Sequence, residues 1–493
     1  MSAALGADIS GVSPNTPFNR QGEMMVRQTV LGFQLERTEE TLTAHGGLAL
    51  LAEFNHGLGV CGLADRYLPG PGSNRGYAPS VFVDRLILML QAGGQCLEDL
   101  RALTREAGLL RLLDRAVIPD PDTVGDWLRR MGDPQTGHAG LIGLGQVRDA
   151  LTARLLRRDG HETYTLDADA TLVVGEKRDA HWSYKGVRGY MPLLGFLFET
   201  PLCLVDEFRE GNVSPGAGQL EFYRQCRARM PLGKRLARYR ADSASYQAAL
   251  INELEADHVR WAITADQDVA VKAVIAGLPP GAWQEPEPGC GYQVAEAAHT
   301  MNQTKAAFRL SIKREERPQG DLFAQTTGPY AYHVVASNWP AEEKTAQEVL
   351  RWHNQRGQAE NFNKELKNGL GLEQLPCGDS GANAVFFRIG VLAYNLFIGF
   401  KRLACPAAWP PQTIATVRWK LVQVAGRILR HAGRVVLRLV LDAEALACWR
   451  AIRQRCCRCA WRSDAGRPSR NWGPVEDGSG VLPLAVLQRE LLS

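Results

Sequence analysis

Between residues 162 and 265 the hydrophobic period switches in a set order, and this order limits the possible folds more than any other feature. "ETYTLDADATLVVGEK" alternates Thr, Tyr, Leu and Val with polar groups, as a half-buried strand does. A second strand pair is expected in "HWSYKGVRGYMPLLGFLFE" and a third in "PLCLVDEFRE", closed by the turn "GNVSPG". A helix over residues 217–229 comes next, then a short strand in "ARYRADSAS", a helix over 246–256 and the strand "VRWAITA".

Three strands, helix, strand, helix, strand is the order of a ribonuclease-H-like core, an α/β fold of three antiparallel strands followed by strand and helix crossovers. A chain of 493 residues exceeds one ordinary core, so insertions or further domains are expected around it. Residues 1–30 are polar and rich in Gly, Pro and Asn, the composition of a mobile tail. Residues 31–150 show apolar positions at three- and four-residue intervals and predict an all-helical region. Within it, "DPDTVGDWLRRMG" offers Asp122 or Thr123 as an N-cap and resembles the recognition element of a helix-turn-helix. Residues 151–265 form the first part of the core. Residues 266–340 read as a β-rich insertion, 341–403 as the second part of the core, and 404–493 as a basic C-terminal region with helical segments.

The eleven cysteines are scattered, and "CCRC" at Cys456, Cys457 and Cys459 lacks the paired spacing of a zinc module, so reduced thiols are expected. No signal-peptide pattern opens the chain and no apolar run reaches bilayer length, which together predict a cytoplasmic protein without a membrane partner. The formal charge of +4 is unevenly spread: residues 227–240, "RARMPLGKRLARYR", hold six basic groups and no acid. "TVRWKLVQVAGRILRHAGRVVLRL" has a similar imbalance, which suits a polyphosphate partner or a solvated surface.

Two acidic motifs fall where such a core can use them. Alternation puts Asp167 and Asp169 of "LDADAT" on one face of the first strand, while Asp242 of "RADSAS" ends the fourth, its neighbour in this fold. Asp266 and Asp268 in "TADQD" also follow a strand, and only their position separates them from this group. Late in the chain, "HNQRGQAENFNKELKNGL" spaces Arg356, Glu360, Lys364 and Lys367 on one helical face, with Glu365 pointing the other way. By itself that spacing describes a solvated face laced by ion pairs worth tenths of a kcal/mol. Brought together, however, Asp242, Glu360 and an aspartate of the first strand would repel one another unless divalent cations lay between them. Two Mg²⁺ ions about 4 Å apart would serve a phosphodiester reaction.

With these motifs the chain resembles a DDE transposase of the bacterial insertion-sequence type, and is most similar to the insertion sequence 1380 family within the group carrying a Tyr-x2-Arg-x3-Glu-x6-Lys signature. Arg356, Glu360 and Lys367 of "HNQRGQAENFNKELK" match that signature, and His353 stands at the tyrosine position. "DADAT" resembles the first aspartate motif, which selects Asp169; "RADSASY" resembles the second, and "FREGN" the Arg-x-Gly-Asn turn between them. The resemblance implies Asp169, Asp242 and Glu360 as catalytic metal ligands for two Mg²⁺ ions, with Mn²⁺ as a substitute. It also implies DNA contacts from Arg356, Lys364, Lys367 and His353, with Trp283 of the insertion as a base-stacking residue. The implied partners are the inverted-repeat ends and target DNA, bound by a homodimer using the helical region 31–150, in a bacterial cytoplasm at the nucleoid. Two other readings remain: a nuclease of the same fold without strand transfer, and an inactive DNA-binding descendant.

Overall fold

In the computed structural model, residues 36–459 are described, apart from 114, 116, 318–327 and 433. The expected tail at 1–30, and the stretch of the basic C-terminal region beyond 459, lie outside the described residues. The centre is an eight-stranded sheet. Its strands are β1 (Thr163–Ala170), β2 (Leu193–Leu197), β3 (Cys203–Glu207), β4 (Arg235–Ala241) and β5 (Arg260–Thr264), followed by β6 (Tyr292–His299), β7 (Phe308–Glu316) and β8 (Tyr330–Ser337). Their spatial order is β6-β7-β8-β5-β4-β1-β2-β3. The meander β1-β2-β3 is antiparallel, whereas β4 and β5 run parallel to β1. Helices Gln219–Ala228 and Ala248–Ala256 supply the crossovers that parallel pairing requires.

The strands expected within residues 266–340 continue this sheet. β8 pairs antiparallel with β5 through Val335↔Thr264, Ala336↔Ile263 and Ser337↔Ala262, and β7 and β6 follow as a meander. The sheet therefore crosses the boundary expected at 266. The alternating apolar residues of β7 and β8 that marked it as β-rich, such as Leu310, Ile312, Val334 and Ala336, are buried in the main core.

Chain ends also mix where separate regions were expected. Leu42–Thr43 pairs with Gly426–His431, which forms a hairpin with Arg434–Leu439. The expected all-helical N-terminal region thus contributes a strand, and the C-terminal region is part hairpin and part helix. Helix Ala443–Arg458 then packs on Leu48–Gly57, with an Arg453–Glu53 ion pair at 2.8 Å. Helix Pro121–Gly132 begins at an Asp120 cap, not at Asp122 or Thr123. The carboxylate of Asp120 reaches the Asp122 amide, and Pro121 suits the first helical position because it has no N–H to satisfy. Trp127, Leu128 and Met131 of this helix are buried, and Trp127 stacks on Phe82 with ring centroids 4.7 Å apart.

Helix Ser380–Leu403 is long and apolar enough to cross a membrane by length and composition, against the expectation from the sequence, yet 94% of its apolar window is buried in this protein. Its polar side chains explain the placement. Asn395 hydrogen-bonds both the N–H and the C=O of Cys203, while Arg388 pairs with Asp206 at 2.8 Å. Asp206 on β3 is fully buried and also receives Arg148 at 2.6 Å, so one carboxylate ties two helices to the sheet. Such groups dock a helix against protein and would be costly in lipid.

Candidate functional site

The site begins with strand register. β1 and β4 pair in parallel with Asp167 beside Arg240 and Ala168 beside Ala241. One residue further along both strands stand Asp169 and Asp242, so the pairing delivers the two carboxylates to the same sheet end. Asp242 leaves β4 as the cap of a short turn, Ser243–Ser245, its Oδ1 accepting the Ala244 N–H at 3.1 Å. A chain of hydroxyls braces that turn: Tyr239 donates to Ser245 Oγ, which donates to Gln219 Oε1, each at 3.1 Å.

Alternation alone left Asp167 and Asp169 equivalent, and packing separates them. Both oxygens of Asp167 accept from Arg240, at 2.7 and 2.9 Å, with each side chain wholly buried. The Arg240 guanidinium lies 4.3 Å from the centroid of Phe198 and 5.1 Å from that of Trp352. Burial pushes the Asp167 carboxyl up against the pull of Arg240, and the side chain lines no part of the cleft. Asp169, at the strand end, opens instead onto a cleft of about 180 Å³ lined also by Thr171, Glu360, Lys364 and Lys367. Of the other aspartates, Asp268 caps helix Val269–Gly277 and Asp266 is exposed beyond β5.

The signature segment is not one continuous helix. Ala346–Asn354 ends, the chain turns at Gln355 and Arg356, and Gly357–Lys364 begins, followed by a wider π turn over Glu365–Gly369. Arg240 holds this break, donating to the Trp352 carbonyl at 2.8 Å and to Gln355 Oε1 at 3.3 Å. Despite the interruption, Glu360, Lys364 and Lys367 still face the cleft together. Arg356 reaches across to Asp169 at 3.2 Å and to Glu360 at 3.7 Å. Lys367 donates to the Leu172 carbonyl and pairs with Glu373, both at 2.9 Å. Glu365 points away, as its spacing predicts, and accepts the Ile414 N–H at 2.6 Å.

His353 is 3% exposed, so its ring packs in the interior and not on a surface open to DNA. Its Nε2–H donates to the Ala241 carbonyl at 3.0 Å, immediately before Asp242. Burial drives the imidazole down to about 4, hence it is neutral at physiological pH and positions the end of β4. Trp283 is also buried; the Arg314 guanidinium covers its ring at 4.0 Å and Tyr332 lies beside it, which leaves no open face for a base.

Sequence reasoning named Asp169, Asp242, Glu360, Arg356, Lys364 and Lys367, but missed Asn363, whose Nδ2 donates to Asp169 at 2.6 Å. Its position three residues after Glu360 on the same face was the available signal. The basic run 227–240 is largely consumed internally. Arg227 pairs with Asp257, Arg229 with Asp149, Arg238 with Glu199 and Arg240 with Asp167, while Lys234 binds backbone carbonyls. In "FREGN", Arg209 donates to the Met191 and Ala217 carbonyls at 2.9 Å. Gly211 lies so close to its neighbours that a Cβ there would stand 2.4 Å from the carbonyl oxygens of both Gly189 and His181. Gly211→Ala is therefore expected to destabilise the fold by about 1–3 kcal/mol in urea unfolding, whereas an unchanged midpoint would show that the turn yields freely.

Electrostatically, Asp169 is the strained member. Burial pushes its carboxyl up to about 7; Asp242 and Glu360 add to the rise, while Arg356 opposes it. Glu360 is 68% exposed, with Arg356 as its ion-pair partner. Among the described residues no three His, Cys, Asp or Glu already surround one point closely enough to hold an ion. The donor chemistry nevertheless fits a divalent cation: three carboxylates lie within one another's field beside an open polar cleft, and an arginine now supplies the positive charge.

The sequence model of the family described as "Transposase DDE domain group 1" matches residues 32–455. No curated protein matches the chain. A cryo-EM structure of the piggyBac transposase synaptic complex with hairpin DNA is similar over 77% of this chain and 80% of that one, at a TM-score of 0.44 and 9% identity.

Proposed function

Because the chain belongs to the DDE-domain transposases, we propose that it cuts and joins DNA at the inverted repeats of a mobile element of the insertion sequence 1380 type. The observation that carries this reading is the delivery of Asp169 and Asp242 to one sheet end by adjacent parallel strands, where Asp169 opens onto a cleft that Glu360, Lys364 and Lys367 also line. The strand order β3-β2-β1-β4-β5 supports reading the core as ribonuclease-H-like. Asp169, Asp242 and Glu360 would hold Mg²⁺, or Mn²⁺ in its place. Bound there, such ions would activate an attacking water or 3′ hydroxyl and offset charge on the leaving oxygen.

The chain's own residues do the rest. Arg356, now on Asp169, has the planar fork to take a phosphate in two hydrogen bonds, while Lys364 and Lys367 act as point charges along the backbone. These contacts position DNA without reading its sequence. Hydrolysis of one strand frees a 3′ hydroxyl; this attacks the opposite strand, closing a hairpin and releasing the flanking DNA, water then opens the hairpin to restore the 3′ hydroxyl, and that hydroxyl attacks a target phosphodiester. Each step exchanges one P–O bond for another in line, so no covalent protein–DNA intermediate forms. Helix Pro121–Gly132, with Arg129 and Arg130 exposed, suits end recognition, and a dimer in the bacterial cytoplasm at the nucleoid would hold the two ends.

The test is Mg²⁺-dependent cleavage and joining on a labelled fragment carrying the flanking repeats. Glu360→Gln is expected to lower both by roughly 10³-fold or more while end binding is retained. Equal activity in the variant would return that helix to an ion-paired surface. Cutting without joining by the wild type would favour a nuclease, and binding without either step an inactive descendant.

A further inference from the structure

Residues 181–190 carry a feature that the catalytic reading leaves unused. Trp182 is 65% and Tyr184 67% exposed, on an ordered hairpin rather than a loose loop. The order has visible causes. Ser183 is buried, and both its N–H and its hydroxyl donate to the Val187 carbonyl at 2.8 Å, while Gly186 adopts φ +71° to close the turn. Ser183 is buried between Trp182, at the end of its strand, and Tyr184, in the turn, both of which are left exposed. The Lys185 ammonium lies 5.6 Å from the Tyr184 ring centroid.

The hairpin is joined to the site. β1 runs from Asp169 through Thr171 into Val173–Val174, which pairs with Arg188–Tyr190, and that strand pairs with His181–Trp182. Val174, Gly175 and Lys177 line a second cleft, and Glu373 belongs to both clefts. From below, Gly211 packs against the carbonyls of Gly189 and His181, so the "FREGN" turn seats the hairpin directly. Two large exposed aromatic faces held this firmly beside a phosphate-chemistry cleft are costly unless something stacks on them. Charge favours a polyanion: of the four Lys or Arg in residues 176–190, Arg178 and Arg188 pair with Asp179 and Glu176, which leaves Lys177 and Lys185 as the positive excess.

We propose that the 181–190 hairpin is a stacking platform for unpaired bases at the DNA end, with Trp182 and Tyr184 presenting the aromatic faces and Lys185 meeting the adjacent phosphate. Duplex DNA hides its base faces except where strands separate, so the occupant is an unpaired nucleotide next to the cut. The inference rests on the transposase reading and assigns to this hairpin the stacking role that the burial of Trp283 denies to that residue.

The experiment uses the full chain and end fragments bearing a short unpaired flank labelled with 2-aminopurine, against fully paired fragments. Wild type is expected to bind the unpaired flank and quench its fluorescence. Trp182→Ala and Tyr184→Ala should each weaken binding to that fragment by roughly 5- to 100-fold and abolish the quench, with little change on paired DNA. Trp182→Phe and Tyr184→Phe should retain both properties. Thermal melts should not move, because both side chains face solvent. Equal affinity and quenching in the double alanine variant would overturn the platform. So would an unchanged affinity together with lost self-association in sedimentation, which would make the hairpin a protein contact. Wild type that binds neither fragment would instead remove the transposase reading itself.

Discussion

Asp169→Asn is expected to eliminate cleavage and joining while making the protein more stable. The two effects share one cause. Asp169 is largely but not fully buried, its side chain 13% exposed at the cleft; it feels the charges of Asp242 and Glu360, and its carboxyl is pushed up to about 7 from an ordinary 3.8. A folded-state value above the unfolded one means that the protonated acid favours the fold. This contribution is complete below about 4 and is lost as pH rises through about 7. Above that pH the wild type carries an unfavourable buried charge, which an amide does not. The full shift would amount to about 4 kcal/mol as a ceiling, and a gain of roughly 1–3 kcal/mol at pH 8 is expected. Catalysis should fall by roughly 10³-fold or more, because a neutral amide replaces a carboxylate that must face positive charge. Urea unfolding of both proteins at pH 5.5 and pH 8 is the check. A gain that grows with pH matches this account, whereas a variant no more stable than wild type at pH 8 would mean that Arg356 and Asn363 already compensate the charge.

Arg240→Ala should have the opposite effect on stability. Arg240 is fully buried, and its removal strands the Asp167 carboxylate without a partner. Breaking one side of such a pair costs about 3–5 kcal/mol. Arg240 also holds the Trp352 carbonyl and Gln355, where the signature segment breaks before Arg356. The double variant Asp167→Leu with Arg240→Met is therefore informative. It should recover most of the stability, since a buried ion pair is often replaceable by apolar packing. It should not recover DNA cleavage, because the break loses its anchor and Arg356 and Glu360 shift from the cleft. Recovery of activity alongside stability would show that the helix break holds its shape unaided.

The sequence by itself determined the order of strands and helices between 162 and 265, because periods of two and of about three and a half residues are local properties of the chain. It also determined which cluster of charges was worth following. Asp169 and Asp242 stand at one sheet end, and Asp169, Glu360, Lys364 and Lys367 line one cleft; each was named from a local spacing combined with a resemblance. Only the tertiary structure decided between Asp167 and Asp169, since the two are equivalent by alternation until Arg240 arrives from a strand 73 residues away. The same holds for His353 and Trp283, whose burial depends on β5, β7 and β8 closing over them. The break before Gly357 was likewise undecided, because a glycine alone does not require a break and the bonds that hold this one come from Arg240 on a distant strand. Three strands lie where residues 266–340 were expected to be β-rich, after an unexpected helix at Val269–Gly277, and they join the main sheet for a nonlocal reason: the free edge of β5 offered unpaired backbone that β8 satisfies. What a window of neighbours can encode was legible. What depended on a partner arriving from a distant part of the chain was decided by packing.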